Sequence, residues 1–289
     1  MTGALGNLAR ALIPLLKIQA AQVVETDSRN PEIPSPDFRV LDIRKHHEVR
    51  QAIERAEPDL VVHLAAATDV DQCERIPELA FQVNAFGTEN VALACQRGDI
   101  PLVYLSTAEV FDGEKKTPYT EYDEPRPLNV YARSKLEGEK AVQGLLKKYF
   151  VVRTAWLAGG GRADQKFVGK IMRLLGKEKS LRVVSDKIGS PTFTGDLAKN
   201  LLALIETGRF GLYHLCNQGF CSRYEMVQAM LETLGRKDVK LIPVSSADFP
   251  LPAVRGKSEA LENFKLNQMG INQMPHWKES LENYLRKEF

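Results

Sequence analysis

The chain has 289 residues and a formal charge of +2, from 39 basic and 37 acidic side chains mixed along its length. That is room for one large α/β domain or a nucleotide-binding domain with a smaller partner, and there is no basic stripe of the kind nucleic acid or anionic lipid requires. No apolar run approaches the ~18 residues of a membrane helix, and the N-terminus lacks the basic-then-apolar pattern of a secretion signal. The expected partners are therefore small molecules and the expected location is the cytoplasm.

The chain opens on MTGALGNLARAL, in which Gly3, Gly6 and Ala9 have the spacing of a dinucleotide-binding turn. Leu8, Leu12, Leu15 and Leu16 then repeat at helical intervals. Such a turn normally joins a buried first strand to a helix whose N-terminus faces a pyrophosphate, yet only Met1 and Thr2 precede it, so the first strand is expected to be missing. AQVVET reads as a strand ending at Asp27, and EIPSPDFRVLDI as a proline-rich loop with a short strand. KHHEVRQAIERAEP is helical, and DLVVHLAAA is an apolar strand of the kind buried on both faces of a parallel sheet. PELAFQVNAFGTENVALACQRG predicts one long helix stopped at Gly98. PLVYLST is a strand, NVYARSKLEGEKAVQGLLKKY a helix and FVVRTAW a strand. This alternation predicts a Rossmann-type, doubly wound parallel sheet over residues 1–155.

Beyond Trp156 the rhythm loosens. GGGRADQ is a loop, KFVGKIMRLLGK a helix, SLRVVSDKIGSPTFT a strand and loop, and GDLAKNLLALIETG a helix. GLYHLCN has the pattern to return to the main sheet, while SRYEMVQAMLETLG and PHWKESLENYLRKEF are amphipathic helices. Residues 156–289 are thus expected to form mainly a smaller α/β substrate domain. Cys73, Cys95, Cys216 and Cys221 form no C-x-x-C pair and are read as buried free thiols.

Two groups of residues carry chemistry. Asp27 lies 21 positions after Gly6 at a strand end, where a carboxylate accepts hydrogen bonds from the adenosine ribose. With it go Leu5 and Asn7 of the turn, and Asp42 with Ile43 beside the adenine edge. Asp27 favours NADH by contacting the 2′-hydroxyl, whereas Arg29 attracts the 2′-phosphate of NADPH, so both cofactors stay open. In the second group Tyr131 and Lys135 stand one helical turn apart. A Y-x-x-x-K spacing is common by chance; its place here, after a strand whose C-terminal end carries Ser106 and Thr107, is what points to a site. Such a set suits proton-coupled hydride transfer to a ketone: Tyr131 gives the proton, Thr107 hydrogen-bonds the carbonyl oxygen, and Lys135 grips the nicotinamide ribose. A free tyrosine titrates near ~10, so bringing Tyr131 to ~7 takes about 4 kcal/mol, which the Lys135 ammonium is expected to help supply.

These residues resemble the extended short-chain dehydrogenases/reductases and, within them, the dTDP-4-dehydrorhamnose reductase family. TGALGNLA is similar to the family's glycine turn, VVHLAAATDVDQCE to its cofactor-lining strand and loop, STAEVFDG to its Ser/Thr motif and YARSKLEGE to its catalytic helix. RTAWL, VVSDKIGSPTFTGDLA, GLYHLCNQGFCSRYEM and PAVRGKSEALEN are similar to the more specific segments. The resemblance implies reduction by NADPH or NADH of the 4-keto group of a nucleotide-activated 6-deoxysugar, with Thr107, Tyr131 and Lys135 catalytic. It implies that Ala65, Ala66 and Thr68 line the cofactor and that Trp156 and Arg255 hold the nucleotide-sugar. Asn84 matches a structural position. The family's tyrosine near the sugar is Glu109 here, which leaves a different nucleotide-sugar as an alternative; a non-catalytic nucleotide-binding subunit would have no need of the intact catalytic trio. A homodimer and Mg²⁺ also fit the resemblance, with no metal ligand assigned. Because relatives read V-T-G where this chain reads M-T-G, the expectation is a start about half a dozen residues late, as a strand of ~5 to 6 residues suggests.

Overall fold

The computed structural model describes residues 1–19 and 21–289. In chain order its first half comprises α1 (Asn7–Ile18), β1 (Glu25–Asp27), β2 (Phe38–Val40), α2 (His46–Ala56), β3 (Val61–His63), α3 (Val70–Arg75), α4 (Pro77–Phe81), α5 (Thr88–Arg97), β4 (Leu102–Thr107), α6 (Val130–Leu145) and β5 (Tyr149–Thr154). The second half comprises β6 (Leu157–Ala158), α7 (Phe167–Leu175), β7 (Ser180–Val184), β8 (Ile188–Gly189), β9 (Thr192–Phe193), α8 (Thr194–Glu206), β10 (Gly211–His214), β11 (Cys221–Ser222), α9 (Arg223–Thr233), β12 (Lys240–Val244), β13 (Ser258–Glu259), α10 (Phe264–Gln268) and α11 (Trp277–Glu288).

The main sheet is parallel. β3, β4, β5 and β10 pair in that order, and β1 pairs with β2. The two parts are joined through Thr2, which bridges Thr26 on one side and His63 on the other. Thr2 donates its N–H to the Val62 carbonyl and accepts from Leu64 N–H, while Met1 O accepts from Thr26 N–H. Those bonds set Thr2 between β1 and β3, and the glycine turn follows directly.

Side chains alternate across the sheet as a two-layer cover requires. Val103, Phe150 and Val152 point to one face, where Leu8 and Leu12 of α1 and Leu197 and Leu201 of α8 pack; Leu102, Tyr104 and Val151 point to the other, against Val49, Val91, Cys95 and Val142 of α2, α5 and α6. A separate core joins α7, β7, α9 and α11 through Ile171, Leu181, Met226, Met230, Trp277 and Leu281. As the sequence pattern predicts, β10 returns to the main sheet, pairing with β5. No helix among the described residues is long and apolar enough to cross a membrane. The four cysteines are free and buried.

Three elements differ from the sequence reading. The expected long helix is interrupted between α4 and α5 by a π-helical turn, Gln82–Gly87. This turn places buried Asn84 so that its amide brackets Ala67, accepting from Ala67 N–H at 2.8 Å and donating to Ala67 O at 3.1 Å, and donates also to Ser134 Oγ at 3.0 Å. β3 ends at His63, which bridges Thr2, and past Leu64, whose N–H donates to Thr2 O, the chain enters the loop of Ala65–Asp69. The strand read to Trp156 ends at Thr154, since Trp156 adopts φ +39°, in the left-handed region.

Candidate active site

A cleft of about 960 Å³ runs along the C-terminal ends of the parallel strands, where ligands of open α/β sheets bind. Every catalytic, cofactor-binding and substrate-binding candidate from the sequence lines it: Gly3, Leu5, Gly6, Asn7, Asp27, Arg29, Asp42 and Ile43 at one end, Ala65, Ala66 and Thr68 along one wall, and Thr107, Tyr131, Lys135, Trp156 and Arg255 at the other end.

The first end is a backbone cradle. Gly3 has φ +70°, and a Cβ there would lie 2.6 Å from Ala65 N, so only glycine lets the turn lie against the start of the β3–α3 loop. Gly6 caps α1 with no side chain, leaving the first-turn N–H groups and the positive end of a twelve-residue helix facing the cleft. These features, with Thr154 Oγ1 buried without a partner on the cleft wall, fit a dinucleotide. Asp27 accepts from Leu5 N–H at 3.3 Å and from the Arg29 Nε at 3.3 Å. Arg44, not anticipated from sequence, closes on Asp42 at 2.6 Å and holds its carboxyl below the usual carboxylate range.

The other end is built by the termini of β4 and α6. Asn129 caps α6, its Oδ1 accepting from Ala132 N–H at 2.8 Å. That sets the helix so that Tyr131 and Lys135 both open on the cleft. Thr107 Oγ1 accepts the N–H of Glu109 at 3.2 Å, which leaves its own hydroxyl hydrogen to donate. Behind them Glu139 and Arg153, both almost fully buried, pair at 2.6 Å, and Ser106 Oγ donates to Glu139 at 2.5 Å. This network ties β4, β5 and α6 together under the site.

Burial first, then the negative charge of Glu109, push the Tyr131 phenol above its ordinary value, with the Thr107 hydroxyl pulling the other way. Lys135 is itself buried, with its ammonium 4.0 Å from the Tyr104 ring centroid, and desolvation lowers it to about 7 against the raising effect of Glu139. A phenol with a raised pKa stays protonated, which is the state a proton donor for ketone reduction needs.

Arg223, Glu259 and Lys166 also line the cleft and were not singled out from the sequence. Arg223 stacks on Trp156, its Cζ 3.5 Å from the ring centroid, and burial lowers it to about 10. Glu259 and Glu109 present two carboxyls to the same wall. Arg255 pairs with Asp71 at 2.9 Å, which clasps its loop to α3, and Lys166 reaches Thr68 Oγ1 at 3.4 Å. Arg223 and Glu259 come from β11–α9 and β13, far along the chain, and only the small sheet in which β8 pairs with both β11 and β13 brings them here. Among the described residues no group of three or more His, Cys, Asp or Glu side chains could hold a metal ion.

The family model described as RmlD substrate binding domain matches residues 1–289. The dTDP-4-dehydrorhamnose reductase of Mycobacterium tuberculosis is 41% identical over 228 residues, 77% of this chain and 75% of that protein. The chain belongs to the dTDP-4-dehydrorhamnose reductase family. Two solved structures of that family are similar throughout. The one from Clostridium acetobutylicum is 37% identical with a TM-score of 0.91, covering 99% of this chain and 97% of its own. The one from Bacillus anthracis, in complex with NADP, is 36% identical with the same TM-score and coverage. Family membership accounts for a site that joins a glycine cradle to a Thr-Tyr-Lys set in one cleft.

Proposed function

We propose that the protein reduces the 4-keto group of dTDP-4-dehydro-L-rhamnose to give dTDP-L-rhamnose, using NADPH, with NADH as the weaker cofactor. The observation that carries this reading is the single cleft with a dinucleotide cradle at one end and Thr107, Tyr131 and Lys135 at the other. Gly3, Leu5, Gly6 and Asn7 hold the pyrophosphate, Ala65, Ala66 and Thr68 the middle of the cofactor, and Asp42 with Ile43 the adenine. Residues 1–155 serve mainly the cofactor and residues 156–289 mainly the nucleotide-sugar. NADPH is favoured by Arg29 and Arg44, whose guanidinium groups sit on Asp27 and Asp42 and offset the charge that would repel a 2′-phosphate; a family member from Bacillus anthracis was solved with NADP.

The nicotinamide supplies the hydride. Tyr131 donates the proton to the ketone oxygen, and the Thr107 hydroxyl, its acceptor side taken by Glu109 N–H, donates a hydrogen bond to the same oxygen as charge builds there. Lys135, one turn from Tyr131, holds the nicotinamide ribose and stabilises the phenolate left after transfer. Trp156, fixed by Arg223, and Arg255, fixed by Asp71, hold the nucleotide-sugar.

The test is oxidation of NADPH and of NADH with dTDP-4-dehydro-L-rhamnose by the wild type and by Tyr131→Phe. The expected result is turnover by the wild type and a loss of about 10²–10⁴ in kcat for the variant, with cofactor affinity kept. A wild type that oxidises neither cofactor with this sugar, or a variant that turns over normally, overturns the reading.

A further inference from the structure

Glu109 lies in a single 3-10 turn, Ala108–Val110, directly after Thr107. Its backbone N–H is bonded to the Thr107 hydroxyl oxygen, so the two side chains leave the same turn into the same cleft. One carboxyl oxygen, Oε2, accepts from Asn129 Nδ2 at 2.8 Å. Asn129 is itself locked: buried, it spends its other amide hydrogen on Val254 O at 2.9 Å and its oxygen on the α6 cap. The Glu109 carboxyl is therefore held in one place, and its Oε1 has no hydrogen-bond partner among the described residues.

The surroundings are those of a polar ligand. Glu259 faces the same wall; burial first, then the Glu259 charge, raises Glu109, while Asn129, Arg255 and Arg223 pull the other way. The indole Nε1 of Trp156 is buried without a full hydrogen bond, turned toward the Glu259 carboxyl. Neither Glu109 nor Glu259 makes an ion pair within 4.0 Å among the described residues. A fixed carboxyl with a free oxygen, beside the buried indole N–H of Trp156, is a complement for hydroxyl groups, which donate and accept at once.

The ring of a 4-keto-6-deoxysugar has two carbons next to its ketone. One carries the methyl group and the other a hydroxyl. With Thr107 and Tyr131 closing on the ketone oxygen, the neighbouring turn residue meets a neighbouring ring substituent, and only the hydroxyl matches a carboxyl. We infer that Glu109 reads the sugar by accepting a hydrogen bond from the hydroxyl vicinal to the ketone, and that it is a specificity-determining residue of the site; this rests on the reductase reading above.

The experiment is a cycle of two enzymes and two substrates: wild type and Glu109→Ala, each with the dTDP-4-keto-6-deoxyhexose and with its analogue lacking the vicinal hydroxyl. Glu109→Gln is run alongside, since its amide oxygen still accepts from Asn129, and NADPH affinity is measured for all three proteins as the check on folding. The expected result is a loss of about tenfold to a hundredfold in kcat/KM for Glu109→Ala on the hydroxylated sugar, mostly in KM. On the analogue the wild type is already impaired, and the variant loses less than threefold more. Glu109→Gln falls between. Equal losses on both substrates, or none on either, overturn the inference while leaving the reductase reading intact. A wild type inactive on both sugars overturns both.

Discussion

Arg29 and Arg44 each turn back on the carboxylate two positions earlier, at the ends of the first two strands of the sheet. Both are at least half exposed or nearly so, so the pairs contribute little to stability. Their importance is for what binds there. Asp27 alone would disfavour a 2′-phosphate; with a guanidinium on each carboxylate the edge of the cleft carries no net repulsion and offers two forked donors. The double variant Arg29→Ala/Arg44→Ala is expected to raise the KM for NADPH about tenfold to a hundredfold while changing that for NADH less than threefold. A parallel change in both values would mean that these arginines act on the adenosine generally. Of this pair only Arg29 was legible in the sequence. Arg44 was hidden because a basic residue two after an aspartate is common on any surface, and only the turn after β2 aims it into the cleft.

At the level of the element, α6 shows why a good helix pattern can conceal its main constraint. Gly138 lies mid-helix, where replacement by alanine ordinarily gains about 0.8–1.0 kcal/mol of helix propensity. Here a Cβ would lie 2.3 Å from Tyr104 Oη and 2.5 Å from the backbone oxygen of Asn84. The tyrosine hydroxyl is held by Lys135 O and Asn84 O, and the second contact belongs to the π-helical turn itself, so neither side yields cheaply. Overpacking of this kind costs about 1–3 kcal/mol, so Gly138→Ala is expected to destabilise the protein in denaturant unfolding and to lower kcat by displacing Tyr131 and Lys135. An unchanged or raised midpoint would show that α6 can shift at no cost. The same helix marks the limit of sequence reading. Tyr131 and Lys135 were legible because their spacing and place after β4 are local. The raised phenol, the lowered Lys135 and the π turn were not, since burial by Tyr104, the approach of Asn84 and the charge of Glu109 come from segments between 20 and 50 residues away. Arg223 and Glu259 were missed for the same reason at greater range.

Across the whole molecule the clearest pH signature belongs to two histidines buried far apart in the sheet. His63 on β3 is fully enclosed, its ring nitrogens 2.6 Å from Thr2 Oγ1 and 3.1 Å from Thr88 Oγ1. His214 on β10 directs Nδ1 at the carbonyls of Tyr119 and Glu262, 3.1 and 3.2 Å away, so Nδ1 is the donor, and Nε2 is buried without a partner. Burial, with Lys135 near the first and Arg153 near the second, lowers each to about 3 from an ordinary 6.5. The unfolded chain therefore binds up to two more protons at these sites between about pH 3 and 6.5. The stability they contribute is fully present above pH 6.5 and is lost as pH falls toward 3. Glu109 opposes this, because its carboxyl is raised to about 7 and the folded state takes up its proton first as pH falls from 7 toward 4.5. The sum of the three is thus shallower than the histidine part alone, and a single variant has to separate them. His214→Asn keeps a donor for the two carbonyls but cannot titrate. Unfolding free energy measured in denaturant at pH 7, 5.5 and 4.5 is expected to fall less steeply for this variant than for the wild type, by close to one proton near pH 4.5. Equal slopes would mean that His214 accepts a proton without leaving the folded state, with Nε2 finding a partner on protonation.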